Sequence, residues 1–262
     1  MASVLFRWFA PPLTFLVILL VWHFGVTLFH VQPMVLPSPG SVVMAFAEAP
    51  RWFLVEGLYT LATTLAGFAI AVVVGILLAI LIVEARVFEG TVYALITALN
   101  SVPKVTIAPL FVIWLGVGAA PKVALAFLIA FLIAFFAIVI DTVLGLRSVP
   151  PGMLDLARTM QATRIGNFWR IRLPCALPSM FAGMKVGVSL ALVGALVGAL
   201  VGEFVATDHG LSYIILTAQG TFDTPQIFAA TALLAVAGIA LFTIMDLLER
   251  RLLPWHASRR SN

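Results

Sequence analysis

The chain has 262 residues, of which 63% are hydrophobic and only 10% are Asp, Glu, Lys or Arg. An ordinary soluble domain carries about 25% charged residues, and a disordered chain is polar, so both classes are excluded and a polytopic helical membrane protein is predicted. The formal net charge is +4, and the single cysteine, Cys175, excludes both an intrachain disulfide and a cysteine-based metal cluster.

A hydrocarbon layer about 30 Å thick needs roughly 20 apolar residues as helix, and in lipid the backbone must satisfy its own hydrogen bonds. Six spans are predicted, at about 10–30, 57–83, 91–116, 123–140, 181–205 and 226–245. The first is too long for a signal-peptide core and reads as a retained anchor. The third is interrupted by Pro103, Lys104 and Pro109. Span two repeats small residues every fourth position at Thr63, Gly67, Ala71, Gly75 and Ala79; span five does so at Gly183 and Gly187 and again at Gly194, Gly198 and Gly202. Such a stripe admits close helix approach, within one subunit or at a subunit interface.

Basic residues set the direction. They crowd the segment after span four (Arg147, Arg158, Arg164, Arg170, Arg172, Lys185) and the tail (Arg250, Arg251, Arg259, Arg260), with Arg7 and Arg86 on the same side. The 31–55 loop has only Arg51, and the 206–225 loop has none. Both ends are therefore expected in the cytoplasm.

The connection from about Asp141 to Met180 is far longer than a passive bundle needs. Pro150-Pro151-Gly152 starts a new element, and Leu154, Ala157, Met160 and Ala162 alternate with Asp155, Arg158, Gln161 and Arg164 as in a short amphipathic helix. Ile165, Phe168, Trp169 and Ile171 follow, and Pro174 and Pro178 are expected to close the segment. Two readings fit: a helix lying on the headgroups, or a docking element for a cytoplasmic partner.

Asp155-Leu156-Ala157, then three residues to Gln161, then nine to Ile171-Arg172-Leu173-Pro174, resembles the EAA loop of ABC importer permeases. The resemblance extends over about residues 36–255: Leu36-Pro37-Ser38-Pro39, Ala108-Pro109-Leu110, Trp114-Leu115-Gly116-Val117-Gly118, Pro121-Lys122, Gly145 to Pro150, Gly202-Glu203-Phe204, Gly210 to Tyr213, Phe222-Asp223-Thr224-Pro225 and Glu249 to Trp255 are similar to the nitrate/sulfonate/taurine-type permeases. It implies an all-α, MetI-like type I permease fold of about six spans with a cytoplasmic coupling helix at about Met153–Thr163 in a loop of about 150–178. It also implies a multi-pass protein of the bacterial inner membrane, a second permease copy, cytoplasmic ABC ATPase subunits that bind ATP and Mg, and an external solute-binding protein. Leu154, Asp155, Ala157, Arg158, Met160, Gln161, Ala162, Arg164, Ile165 and Phe168 are then the ATPase-docking residues, with Leu154, Met160, Ile165 and Phe168 supplying most of the energy and Arg158 and Arg164 facing acidic groups. Gln161 stands where the motif has glycine. Either the turn there is ordinary helix, or docking is shifted and Gly166 supplies the bend.

No phosphate loop, nucleophile elbow or zinc motif occurs, and His23, His30, His209 and His256 are scattered, so neither ATP, a metal nor catalysis is expected in this chain. Candidate pathway residues are Asn100, Ser101 and Lys104 in span three, Trp114, Glu203 at the outer end of span five, and Gln219. Lys104 reads equally as a snorkelling lysine, Trp114 as an interfacial aromatic and Glu203 as a solvated helix end. Asp246 and Glu249, with Arg250 and Arg251, are expected as a cytoplasmic cap. The resemblance implies a small anion such as nitrate, a sulfonate or taurine as solute, with a pyrimidine-type vitamin precursor as the alternative. A passive channel, or a membrane enzyme built on Asp141 and Asp246, competes less well.

Overall fold

The computed structural model describes residues 2–115, 119–201 and 209–254. Gly116, Val117, Gly118, Gly202, Glu203, Phe204 and Trp255 lie outside the described residues. Helices run α1 (Ala2–Leu28), α2 (Pro39–Glu48), α3 (Pro50–Glu84), α4 (Arg86–Asn100), α5 (Lys104–Leu115), α6 (Ala119–Arg147), α7 (Pro151–Thr159), α8 (Arg164–Asn167), α9 (Leu173–Val201), α10 (Leu211–Gly220) and α11 (Thr224–Leu252). No strand occurs among the described residues. Four described helices, Pro50–Glu84, Ala126–Arg147, Arg164–Leu196 and Thr224–Leu252, are long and apolar enough to cross a membrane; Pro12–Leu28 and Gly90–Asn100 are shorter apolar helices. The chain forms two compact units, one of Met1–Leu58 with His209–Ala235 and one of Tyr59–Asp208 with Val236–Asn262.

In the first unit, Leu36-Pro37-Ser38-Pro39 is the entry to α2: the Ser38 Oγ accepts from the Ser41 N–H at 3.2 Å and Pro39 takes the first helical position. Asp223 performs the same task for α11, accepting from the Gln226 N–H at 3.2 Å, and Thr224 Oγ1 donates to the Met34 carbonyl at 2.6 Å. Phe53 is fully buried beside Phe46. Glu56 is a buried carboxylate that accepts from the Gly210 N–H and faces His209 Nδ1 at 3.5 Å. The sequence pattern gives Glu56 no prominence, because it only marks the edge of an apolar run.

In the second unit, α6 is flanked by α3 and α9 through the small-residue stripes. A Cβ on Gly67 would stand 2.7 Å from the Phe127 carbonyl oxygen, one on Gly183 would stand 2.7 Å from Asp141 Cβ, and one on Gly194 would stand 2.8 Å from Ile133 Cδ1. The described part of both stripes therefore serves packing within one subunit. Phe68, Ala71, Ala134, Ile138, Val188 and Leu241 share the buried core that results.

Three expectations need correction. The run at 91–116 is two helices, because Pro103 lacks an N–H and the chain turns at Ser101-Val102 before α5 starts at Lys104. The long connection does not begin at Asp141; α6 continues through buried Leu146 to Arg147. Nor do Pro174 and Pro178 end it. From Arg164 the chain is helical, through a π-turn at Phe168–Arg172, into α9. Pro174 falls in the first turn of α9 and Pro178 within the helix. The wider π-turn, where the Leu173 N–H reaches back to the Phe168 carbonyl, absorbs the extra residue ahead of them.

Candidate functional site

The segment from Pro150 to Arg172 is built on α7, α8 and the π-turn. Pro151 sits at the start of α7, where its missing N–H costs nothing. The helix ends at Thr159 in a Schellman cap. The Gln161 N–H donates to the Arg158 carbonyl at 3.0 Å and the Ala162 N–H to the Ala157 carbonyl at 2.9 Å. This closure requires left-handed backbone at Gln161, whose φ is 55°. The turn is thus not ordinary helix, and Gly166 does not replace it, since Gly166 lies in α8 with its N–H held by the Thr163 hydroxyl at 3.1 Å. A glycine at position 161 would adopt this conformation without strain, whereas a side chain costs about 1 kcal/mol there. Gln161→Gly is accordingly expected to stabilise the cap by about that amount, and Gln161→Val to weaken it further. Amide hydrogen exchange at Ala162 measures both.

The amphipathic phase of α7 divides its apolar residues. Ala157 is buried and Leu154 half-buried. Met153, Leu156 and Met160 are exposed, Met160 with 75% of its surface uncovered. Beyond the cap, Ile165 is 73% and Trp169 62% exposed. Phe168 turns inward on Leu146, Ala176 and Met180. Burial divides the expected docking residues: Ala157 is covered and Leu154 and Phe168 are half-buried, while Met160 and Ile165 are exposed, as are Met153, Leu156 and Trp169. The sequence held this signal in the spacing of 153, 156 and 160.

The charges are also partly redistributed. Arg158 pairs within its own helix, Nη1 to Asp155 Oδ1 at 2.8 Å. Arg164 reaches the end of α3: its Nε donates to Glu84 Oε2 at 2.9 Å and its Nη2 to the Glu84 carbonyl. Arg172 Nη1 joins the same carboxylate at 3.3 Å. Gln161 and Ala162 are exposed. Glu84, Arg158, Arg164, Asn167 and Arg172 line an open hollow of about 560 Å³, in which the guanidinium groups of Arg164 and Arg172 meet the Glu84 carboxylate.

Of the pathway candidates, Asn100 and Lys104 are joined by a hydrogen bond. Lys104 donates to the side chain of Asn100 at 2.8 Å and to its carbonyl, and lies 4.9 Å from the centre of the Phe136 ring. It caps α4 rather than standing free. Ser101 donates to the Ala98 carbonyl. Trp114 is exposed, edge-on to Phe111 at 5.5 Å, and Gln219 is exposed on α10. Glu203 is outside the described residues. Lys185, counted in the sequence as a loop charge, is instead enclosed by α11: its Nζ pairs with Asp246 at 2.6 Å and with Glu249, and Arg250 joins Asp246 at 2.7 Å. Asp246 is thus held in an ion-pair network and Asp141 packs on Gly183, which leaves each acid separately engaged. Among the described residues no cluster of His, Cys, Asp and Glu could hold a metal ion.

Residues 71–255 match the family described as binding-protein-dependent transport system inner membrane component. The chain is 37% identical to the riboflavin transport system permease protein RibX of Chloroflexus aurantiacus, across 94% of its length and 90% of that protein's. It is 35% identical to the formylaminopyrimidine transport permease protein ThiX of Halalkalibacterium halodurans, covering 94% and 95%. Identity to the taurine transport system permease protein TauC of Escherichia coli is 28%, covering 93% and 88%. Among solved structures, an inward-facing MetNI methionine ABC transporter superposes with a TM-score of 0.61 at 21% identity, over 76% of this chain and 96% of that one, which establishes the fold. These relatives are transporter permease subunits, not enzymes.

Proposed function

The chain belongs to the family of binding-protein-dependent transport system inner membrane components and is a multi-pass ABC importer permease subunit; from that premise we propose that it carries a neutral heteroaromatic solute of the flavin or pyrimidine type across a bacterial inner membrane, working as two copies with both chain ends in the cytoplasm. Its α7–α8 segment is gripped by ATPase chains that bind ATP and Mg, and an external protein delivers the solute. The observation supporting the docking role is the exposure of Met153, Leu156, Met160, Ile165 and Trp169 on a segment closed by the Schellman cap of α7 and the Thr163 cap of α8 and anchored through Phe168. Apolar side chains of this size left in water mark an interaction surface.

Two facts favour the heteroaromatic solute over the small anion. The relatives at 37% and 35% identity are named for riboflavin and a formylaminopyrimidine, and the taurine permease stands at 28%. The two apolar-helix lysines with described side chains are both engaged, Lys104 on Asn100 and Lys185 on Asp246 and Glu249. Neither is free to meet an oxyanion, whose desolvation in a membrane would need a cation.

The binding protein that co-purifies with this permease, offered riboflavin, a formylaminopyrimidine and taurine at equal concentration, is expected to retain one of the first two. Retention of taurine alone contradicts the solute assignment.

A further inference from the structure

We infer that Glu84 is the positioning residue that ties the ATPase-docking segment to α3, so that the segment and the membrane helix move as one piece; the inference rests on the docking role proposed above. Glu84 is the last residue of α3 and the first charge after the uncharged stretch from Gly57 to Val83. The last carbonyls of a helix have no partner within it. Arg164 supplies one, and in the same gesture takes the side chain: Nη2 to the Glu84 carbonyl and Nε to the carboxylate at 2.9 Å. Only the planar fork of arginine can hold two acceptors in this fixed geometry. Arg172, eight positions on, holds the other carboxylate oxygen at 3.3 Å.

One acid therefore pins both ends of the stretch formed by α8 and the π-turn. Beneath it, Ile76, Ile80 and Val83 of α3 pack on the cluster of Leu146, Ala176 and Met180, to which Phe168 also belongs. Met160, Ile165 and Trp169 are not among the residues that line the hollow around Glu84. Arg158, the remaining arginine of the hollow, is paired with Asp155 inside α7 and adds no tie to α3. Since the Glu84 pairs are partly in water, their contribution to stability is small. Their consequence is geometric. A pull on Met160 and Trp169 is thereby delivered to α3 as well as to α9, with which the stretch from Arg164 is continuous, and rigid elements with discrete arrangements are what carries coupling between distant sites.

The experiment uses the full chain with Cys175→Ser, bound to its ATPase in nanodiscs, and spin labels at Leu77 on α3 and Leu247 on α11, both exposed. MgATP is expected to shift the Leu77–Leu247 distance in the otherwise unaltered complex. Glu84→Ala is expected to lose that shift while holding the ATPase chain on the column as before. Arg164→Lys, which keeps the charge but not the fork, is expected to lose it as well. An intact shift in Glu84→Ala, or no shift in the unaltered complex, overturns the inference. Loss of the ATPase from Glu84→Ala also overturns it, because Glu84 would then belong to the docking surface. Should Glu84→Ala fail to fold, Glu84→Gln, which removes the charge and turns one acceptor into a donor, is read by the same outcomes. Docking itself is read separately, from ATPase retention, so its failure and the failure of this joint are told apart.

Discussion

Replacing Met160 and Ile165 together by aspartate is expected to weaken ATPase binding at least about 100-fold, the steepest loss from any pair of changes on the segment. The two side chains are 75% and 73% exposed, so nearly all their apolar area is free to be covered by a partner. Burying such a side chain contributes about 1.5–3 kcal/mol, and the two together about 3–6 kcal/mol. Aspartate removes that gain and adds the cost of desolvating a charge on binding. Neither residue supports the fold of the segment, which is held by the Schellman cap and by Phe168 below, so the helix should persist. Arg158→Ala is the comparison. Its guanidinium and the Asp155 carboxylate form an exposed pair, worth about 0–1 kcal/mol, so the change should weaken binding no more than about fivefold. Titrating ATPase onto permease in nanodiscs measures both.

Lys185→Met is expected to destabilise the permease by about 3 kcal/mol, chiefly because it removes the cation that Asp246 and Glu249 share. Nζ of Lys185 holds Asp246 at 2.6 Å and also Glu249, across α9 and α11, with Phe242 alongside. All three side chains are largely covered, and removing the lysine strands Glu249 beside apolar helices and leaves Asp246 to Arg250 alone. The value sits at the low end for buried pairs because the cluster is not sealed and Arg250 still reaches Asp246 at 2.7 Å. The triple change Lys185→Met, Asp246→Asn, Glu249→Gln should recover most of the loss, since no uncompensated acid remains. Thermal unfolding in a single detergent compares the variants. If Lys185→Met and the triple variant melt together, the network has no such role.

The apolar runs, the small-residue stripes and the spacing of the EAA-like loop were legible in the sequence because each is a local, periodic signal. What was not legible is long-range or conformational. Nothing in the chain announces that Arg164 and Glu84, 80 positions apart, share a bond, so Arg164 read as a free docking charge. Lys185 read as a loop cation because charge counting along a sequence cannot see Asp246 folded beside it. Pro174 and Pro178 read as a stop signal, which the π-turn at Phe168–Arg172 overrides. Gln161 is the most instructive case. The spacing located the position correctly, but its residue type pointed away from the left-handed backbone it adopts. The hydrogen bonds of the cap, made by main-chain atoms any residue carries, decide that conformation.

The central claim is that the α7–α8 segment faces the cytoplasm and is covered there by the ATPase. Met160→Cys, in a chain with Cys175→Ser, tests it with a membrane-impermeant thiol reagent on sealed vesicles of both orientations. Labelling is expected only in inside-out vesicles stripped of ATPase, with protection when the ATPase is restored. Labelling in right-side-out vesicles alone would contradict it.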